Sequence, residues 1–229
     1  MIPLNSRLLK RLPPLTGLAF GVAAFARGGG DGSGPTTSST GAQIADYASH
    51  HGLGAAAYHL ELWMFLSLMV FTLVLYARLR AAEPAGAIAA KVAVAACVMA
   101  VTIKLSSFPA VYALYSSPMQ VDPSVARPLW AVGWFAFVVS MLVEALSMAA
   151  IAFSGLVHGG IPRWLAATAG AVAVSLVAGF TLGSDFQTAP GLAWMAWMVV
   201  AGVALALREP SSVDEAAPAA VGLSTRAAV

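Results

Sequence analysis

Charge is what this sequence has least of. Across its 229 residues Lys, Arg, Asp and Glu make up 10%, against 59% hydrophobic residues, where an ordinary soluble domain carries about 25% charged residues. That balance excludes a soluble globular domain, because no single core could hide so much apolar side chain. A bilayer can, since a helix in lipid is free to be as apolar outside as inside. Basic blocks interleaved with aromatics are also missing, and with them the signature of nucleic-acid binding. There is one cysteine, Cys97, so no intrachain disulfide can form, and in its apolar run the thiol reads as a small core residue. HExxH, CxxC and comparable ligand spacings are absent, so neither a metal nor another cofactor is expected.

Long apolar runs are what the sequence has instead. Five of them, 54–77, 86–108, 129–156, 165–183 and 191–207, approach the roughly 20 residues that cross a hydrocarbon core of about 30 Å. Breakers separate them: Glu83-Pro84, then Pro109 with Pro118, Pro123 and Pro128, then Gly159-Gly160-Ile161-Pro162, then Pro190-Gly191. A shorter run from Leu15 to Ala26 follows the basic residues Arg7, Lys10 and Arg11. It has the outline of a signal peptide, with Ala24-Phe25-Ala26 as a small-x-small cleavage site. The basic segment and prolines before it can extend it into the interface, and the reading favoured is an uncleaved first helix.

The fold class predicted is all-α: a polytopic transmembrane helical bundle of about six spans. Residues 1–27 form a basic N-terminus and first span, and 28–53 an extracytoplasmic linker with a short interfacial helix. Residues 54–208 form a five-span bundle, and 209–229 a disordered cytoplasmic tail. With the N-terminus inside, Arg7, Lys10, Arg11, Arg78, Arg80, Lys91, Arg163, Arg208 and Arg226 lie on the cytoplasmic side and only Arg27 and Arg127 opposite. That asymmetry predicts both termini inside and, in a bacterium, a multi-pass protein of the plasma membrane.

Three charges interrupt the apolar runs: Glu61, Lys104 and Glu144. A charge at mid-bilayer costs about 2.5–3.5 kcal/mol on insertion scales, so such groups face the bundle and find partners. At a rise of about 1.5 Å per residue, Glu61 lies roughly 12 Å and Lys104 roughly 6 Å below the outer surface, with Glu144 near the midplane. Glu61 and Lys104 stand on consecutive antiparallel spans and are expected to pair. Helical spacing puts Tyr58, Glu61 and Phe65 on one face, and Phe137, Ser140, Met141, Glu144 and Met148 on another. Trp130, Trp134, Trp194 and Trp197 sit near the outer ends of their spans, where an interfacial belt also accounts for them. The outer mouth adds His50, His51, Asp122, Arg127, Asp185 and Gln187. Adjacent histidines do not easily turn both rings to one ion, so His50-His51 reads as a solvated pair.

A carboxyl in an apolar site resists ionisation, whereas one beside a cation keeps its charge. Glu144 is therefore the expected acid and Glu61 the expected base, with Asp185 as a further candidate catalytic group. Tyr58, Phe65, Lys104, Trp130, Trp134, Phe137, Trp194 and Trp197 are the candidate substrate-binding residues, the rings offering π faces to a transient cation. Acid, base and aromatics within a membrane suit proton-initiated isomerisation or cyclisation of a lipophilic small molecule such as an isoprenoid. The alternatives are a proton-coupled small-molecule transporter and a non-catalytic subunit of a membrane assembly. The partners expected are the bilayer and that lipophilic molecule, and no residue pattern names a protein partner. Glu144 with Ser140 and Ser147 has a plainer reading, as a neutral acid tying helices together.

RLPPLTGLAFGV from Arg11 to Val22, STGAQIADY from Ser39 to Tyr47, and LYARLR closing an apolar helix at Leu75 to Arg80 resemble a set of uncharacterised actinobacterial six-helix integral membrane proteins. Arginine outnumbering lysine nine to three is similar to usage in high-GC bacteria. The resemblance implies six helices with the first retained, and brings no catalytic residues. A looser likeness is to the small membrane-bound terpene cyclases, which pair an acidic residue in an early span with a later one. It implies Glu61 as the early acid and Asp185 or Glu144 as the later.

Overall fold

A computed structural model describes residues 13–28, 34–51, 55–116, 121–183 and 188–208, with the backbone alone at 25–28 and 55–58. The basic N-terminus at 1–12, part of the linker, Asp185 and Gln187, and the tail at 209–229 lie outside the described residues. A 3-10 turn at Pro13–Leu15 leads into α1 (Thr16–Gly28). Then come α2 (Gly41–His50), α3 (Ala55–Ala82), α4 (Ala89–Ser106), α5 (Phe108–Ser116), α6 (Pro123–Val157), α7 (Arg163–Leu182) and α8 (Thr188–Leu207). Among the described residues every regular element is helical.

Five helical stretches are long and apolar enough to cross a membrane: His59–Ala82, Ala89–Ser116, Pro123–Val157, Arg163–Leu182 and Thr188–Leu207. The chain is thus a multi-pass membrane protein. Its outer faces agree, for Trp63, Leu66, Phe135, Phe153, Val174 and Leu182 are all exposed. In water so much apolar surface would aggregate, whereas in lipid it is the expected exterior. The apolar helix Pro13–Ala24 is shorter than these five.

Packing runs α1 to α3, α3 to α4, α4 to α6, α6 to α7, α7 to α8, and from α8 back to α1. Six helices close a ring, and α1 completes it by fitting between α3 and α8. Close approach makes that fit. A Cβ on Gly202 of α8 would stand 2.8 Å from Leu18 N and 2.9 Å from Pro14 O, so backbone meets backbone with only hydrogen between. Gly202→Val is accordingly expected to destabilise by roughly 1–3 kcal/mol through overpacking. Thermal unfolding in detergent checks it, and an unchanged midpoint would mean that α1 does not dock there.

Two boundaries depart from expectation. Pro109 was expected to end its span, and a loop to run to Pro128. Instead the chain turns at Ser107 and continues as α5, because Pro109 falls in the first turn of a helix, where its missing N–H has no partner to lose. Likewise α6 begins at Pro123, not near 129, and carries Pro128 inside it. Its start is capped by Asp122, which accepts a 2.7 Å hydrogen bond from the Ser124 amide. At 35 residues, α6 is about 52 Å long, well beyond a hydrocarbon core of about 30 Å. The excess packs with α2 and α5 around Ile44, Ala45, Ala48, Leu114 and Ala126 into a small second core at one end of the bundle. The short interfacial helix expected at 42–52 is α2, begun by a capping box between Thr40 and Gln43.

The Ser124 side chain first, and its amide second, hold the Asp122 carboxyl below its ordinary value of 3.8. A lowered folded value means that the cap's contribution is present above that pH and is lost as pH falls through the folded value. Exchange protection of the Ser124 amide, taken relative to its intrinsic rate, is expected to fall only in that acid window. In Asp122→Ala it should be low at every pH, and equal protection in both proteins would mean that Asp122 does not cap the helix.

Candidate functional site

Between the ring helices lies a partly open cavity of about 270 Å³. All six ring helices line it: Phe20 and Ala24 from α1; Glu61, Met64 and Phe65 from α3; Ala100, Val101 and Lys104 from α4; Phe137, Ser140, Met141 and Glu144 from α6; Leu176 from α7; Gly191, Trp194 and Met195 from α8. Within each helix these residues recur at intervals of three and four, the spacing of one helical face. The void lies in the half of the bundle nearer α2 and α5. Glu61, Lys104 and Glu144, which arise on three different helices, therefore meet on one apolar, aromatic-walled space.

Glu144 is 4% exposed, and neither of its carboxyl oxygens has a hydrogen-bond partner among the described residues. The serines expected to tie it to other helices are occupied elsewhere. Ser140 donates to the Phe137 carbonyl at 2.7 Å, and Ser147 donates across to the Ala93 carbonyl of α4 at 2.9 Å. Of the two serines it is Ser147 that joins helices, while the Glu144 carboxyl lines the cavity. Cys97 lies beside Glu144, its sulfur 3.1 Å from the Thr72 hydroxyl. A thiol is a weak donor and does not complete the acid's hydrogen bonding.

Glu61 and Phe65 are buried on the cavity face of α3, one turn apart as their spacing predicts. Both Glu61 and Lys104 are engaged with partners. The Lys104 ammonium stands 5.2 Å from the centroid of the Phe137 ring, within cation–π range. Trp194 lines the cavity edge-on to Phe20, with ring centroids 5.1 Å apart. Its indole N–H is also buried without an acceptor among the described residues.

The other rings fall into three groups. Trp130 and Trp134 stack at 5.6 Å and line a second hollow, which Lys104 and Phe137 also border. Lys104 and Phe137 thereby form the wall shared by the two spaces, and the tryptophans stand in the one that α5 lines. Trp197 is not on the cavity. Its indole donates to the Leu165 carbonyl at 3.1 Å and it is 4% exposed, which makes it a strut between α8 and α7. Tyr58 belongs to α3 by its backbone, while its side chain, like all of Asp185, lies outside the described residues. His50 and His51 turn away from each other, His50 to the Asp46 carbonyl and His51 to stack on Tyr47. No cluster of three His, Cys, Asp or Glu side chains able to hold a metal ion occurs among the described residues.

Sequence reasoning missed the contribution of α1, whose Phe20 and Ala24 close the cavity. The small-residue spacing of Gly17 and Gly21 was the available signal. It also passed over Glu83 as a loop breaker. Glu83 is 7% exposed and accepts from the Ala90 amide at 2.8 Å and the Ser154 hydroxyl at 2.7 Å, so it caps α4 and pins it to α6. A glutamate six residues before a helix start is a weak pattern to find in sequence. No protein-family model, curated protein or solved structure matches the chain.

Proposed function

We propose that this chain is a membrane-embedded enzyme that binds a small lipophilic molecule in the ring cavity and isomerises or cyclises it by proton transfer. Isoprenoids are the substrate class that this chemistry suits. The observation that carries the reading is the pair of buried carboxyls, Glu61 and Glu144, lining one apolar cavity, with both oxygens of Glu144 unpartnered among the described residues. A carboxyl without hydrogen bonds in an apolar wall is cheapest as the neutral acid. Glu144 gives its proton to a double bond of the substrate, and the π faces of Phe20, Phe65, Phe137 and Trp194 stabilise the carbocation that results. Glu61, on the same cavity, serves as the base: it removes a proton from a neighbouring carbon and restores a double bond. One proton enters and one leaves, so the substrate is rearranged without a co-reactant, and the cycle closes when Glu61 releases its proton to solvent and Glu144 takes one up from solvent. Within the same proposal α1 makes a sixth crossing, both termini face the cytoplasm of a bacterium, and the family is the actinobacterial one that the sequence resembles.

Membranes containing the protein, supplied in D2O with a panel of linear prenyl compounds, should form rearranged product carrying one deuterium from solvent. No protein-dependent product, or product without deuterium, would overturn the reading.

Proton-coupled transport is the second reading, and one observation favours it. The partly satisfied Glu83 provides a further buried carboxyl beside Ser154, ten residues of α6 beyond Glu144, or about 15 Å along the helix. Transport predicts pH-driven flux of a small molecule in proteoliposomes that Glu83→Gln abolishes. Under the enzymatic reading the same variant turns over normally.

A further inference from the structure

Four buried side-chain polar atoms lack a hydrogen-bond partner among the described residues: Glu83 Oε2, both carboxyl oxygens of Glu144, and Trp194 Nε1. Three of the four belong to residues that line the ring cavity. Buried polar groups in folded proteins are nearly always paired, and an exception calls for an explanation in something that occupies the site. The chemistry of the unpaired atoms says what that occupant must offer. An indole N–H donates and cannot accept; a neutral carboxyl donates through one oxygen and accepts through the other. An occupant matching both carries at least one oxygen acceptor. A hydrocarbon carries none, and an anion would have to give up its water in a largely apolar wall, which opposes it.

From this we infer that the cavity takes a neutral, oxygen-bearing lipophile, an alcohol, ether or carbonyl compound, with its oxygen held by the Trp194 N–H and the Glu144 carboxyl. The inference rests on the proposed ligand-binding role of the cavity and names the substrate class more narrowly. It also gives Trp194 a task beyond its π face: it sets which end of the molecule meets the acid. The volume, about 270 Å³, falls near the lower limit of the roughly 300–1,000 Å³ usual for ligand pockets, so the molecule is compact. Elsewhere the lining is alkyl and aromatic apart from Ser140, whose hydroxyl is already spent on the Phe137 carbonyl, and the side chains of Glu61 and Lys104.

The test is equilibrium binding of radiolabelled cyclodecane, cyclodecanone, cyclodecanol and cyclodecanecarboxylate to the full chain in nanodiscs, at equal mole fraction in the lipid and against empty nanodiscs. Cyclodecanone and cyclodecanol should bind about tenfold or more tightly than cyclodecane, the ratio that one satisfied buried hydrogen bond gives, with the carboxylate weakest. Trp194→Phe keeps the ring against Phe20 and removes the donor, so it should lower ketone binding about tenfold and leave cyclodecane unchanged. Glu144→Leu, a second variant on a separate helix, should shrink the same preference. Equal binding of hydrocarbon and ketone, or a preference that survives both variants, overturns the inference and means that water satisfies these groups. Binding of none of the four probes overturns it together with the ligand-binding role of the cavity. The proton-transfer reading fails separately, in the deuterium experiment, even where the ketone binds as expected.

Discussion

Glu144→Gln is expected to lower deuterium-labelled product formation roughly a hundred- to ten-thousand-fold, the range over which general acid catalysis contributes, without unfolding the protein. Glutamine matches glutamic acid in shape and keeps a carbonyl and an N–H2 in the cavity wall, but it has no proton of useful acidity. The distinction matters because Glu144 is buried: a fall in activity has meaning only if the variant retains its thermal midpoint. Retention is expected, since among the described residues the carboxyl's only polar neighbour is the weakly donating Cys97 thiol, which an amide oxygen accepts from equally well. Glu61→Gln should be similarly inactive while still accepting a proton-independent ligand. Turnover at the wild-type rate in both variants would leave the cavity as a binding site without acid–base chemistry.

Glu83→Ala is expected to have the largest effect on stability, a loss of roughly 2–5 kcal/mol, while the cavity half of the molecule keeps its chemistry. Two buried donors, the Ala90 amide and the Ser154 hydroxyl, share one oxygen of this side chain. Truncation leaves both without an acceptor, and each such group carries a penalty of about 1–3 kcal/mol. Glu83→Gln preserves an acceptor at that position and should recover most of the difference. The readout is unfolding by a denaturing detergent in mixed micelles. An alanine variant as stable as the wild type would mean that α4 is not capped through this contact. Glu83 is also where the α3–α4 turn is fixed, close to Gly160. There the backbone has φ +85°, and a Cβ would lie 2.6 Å from the Arg78 carbonyl oxygen, so that end of the bundle is built from close backbone contacts.

Much of this arrangement is legible in the amino acids. A membrane class follows from the scarcity of charge. The cavity faces of α3 and α6 follow from spacing: Glu61 with Phe65, and Phe137, Ser140, Met141 and Glu144, are placed together by the 3.6-residue repeat alone. Which faces meet is not legible there, because lipid removes the polar-out pattern that orients helices in water. The convergence of six faces on one space is therefore a property of the packing. Prolines misled in a definite way. Pro109 and Pro128 read as breakers, yet one begins a helix and the other sits inside α6, whose other hydrogen bonds and tertiary contacts hold the helix across it. Tryptophan misled differently. Trp130, Trp134, Trp194 and Trp197 are equivalent by sequence, but an indole N–H unpaired among the described residues, a ring stack and a bond to Leu165 give them three distinct roles. Glu83 was hidden because its partners, Ser154 above all, are 71 residues away.

Labelling with a lipophilic carbodiimide, which attacks protonated carboxyls from within the membrane, probes most directly whether Glu144 is a neutral acid facing a ligand-accessible space. Peptide mapping is predicted to find the adduct on Glu144, with cyclodecanone slowing its formation and a water-soluble carbodiimide failing to form it. An unreactive Glu144, or one labelled equally by both reagents and unprotected by the ketone, would contradict the placement of this acid in a dry, occupiable cavity.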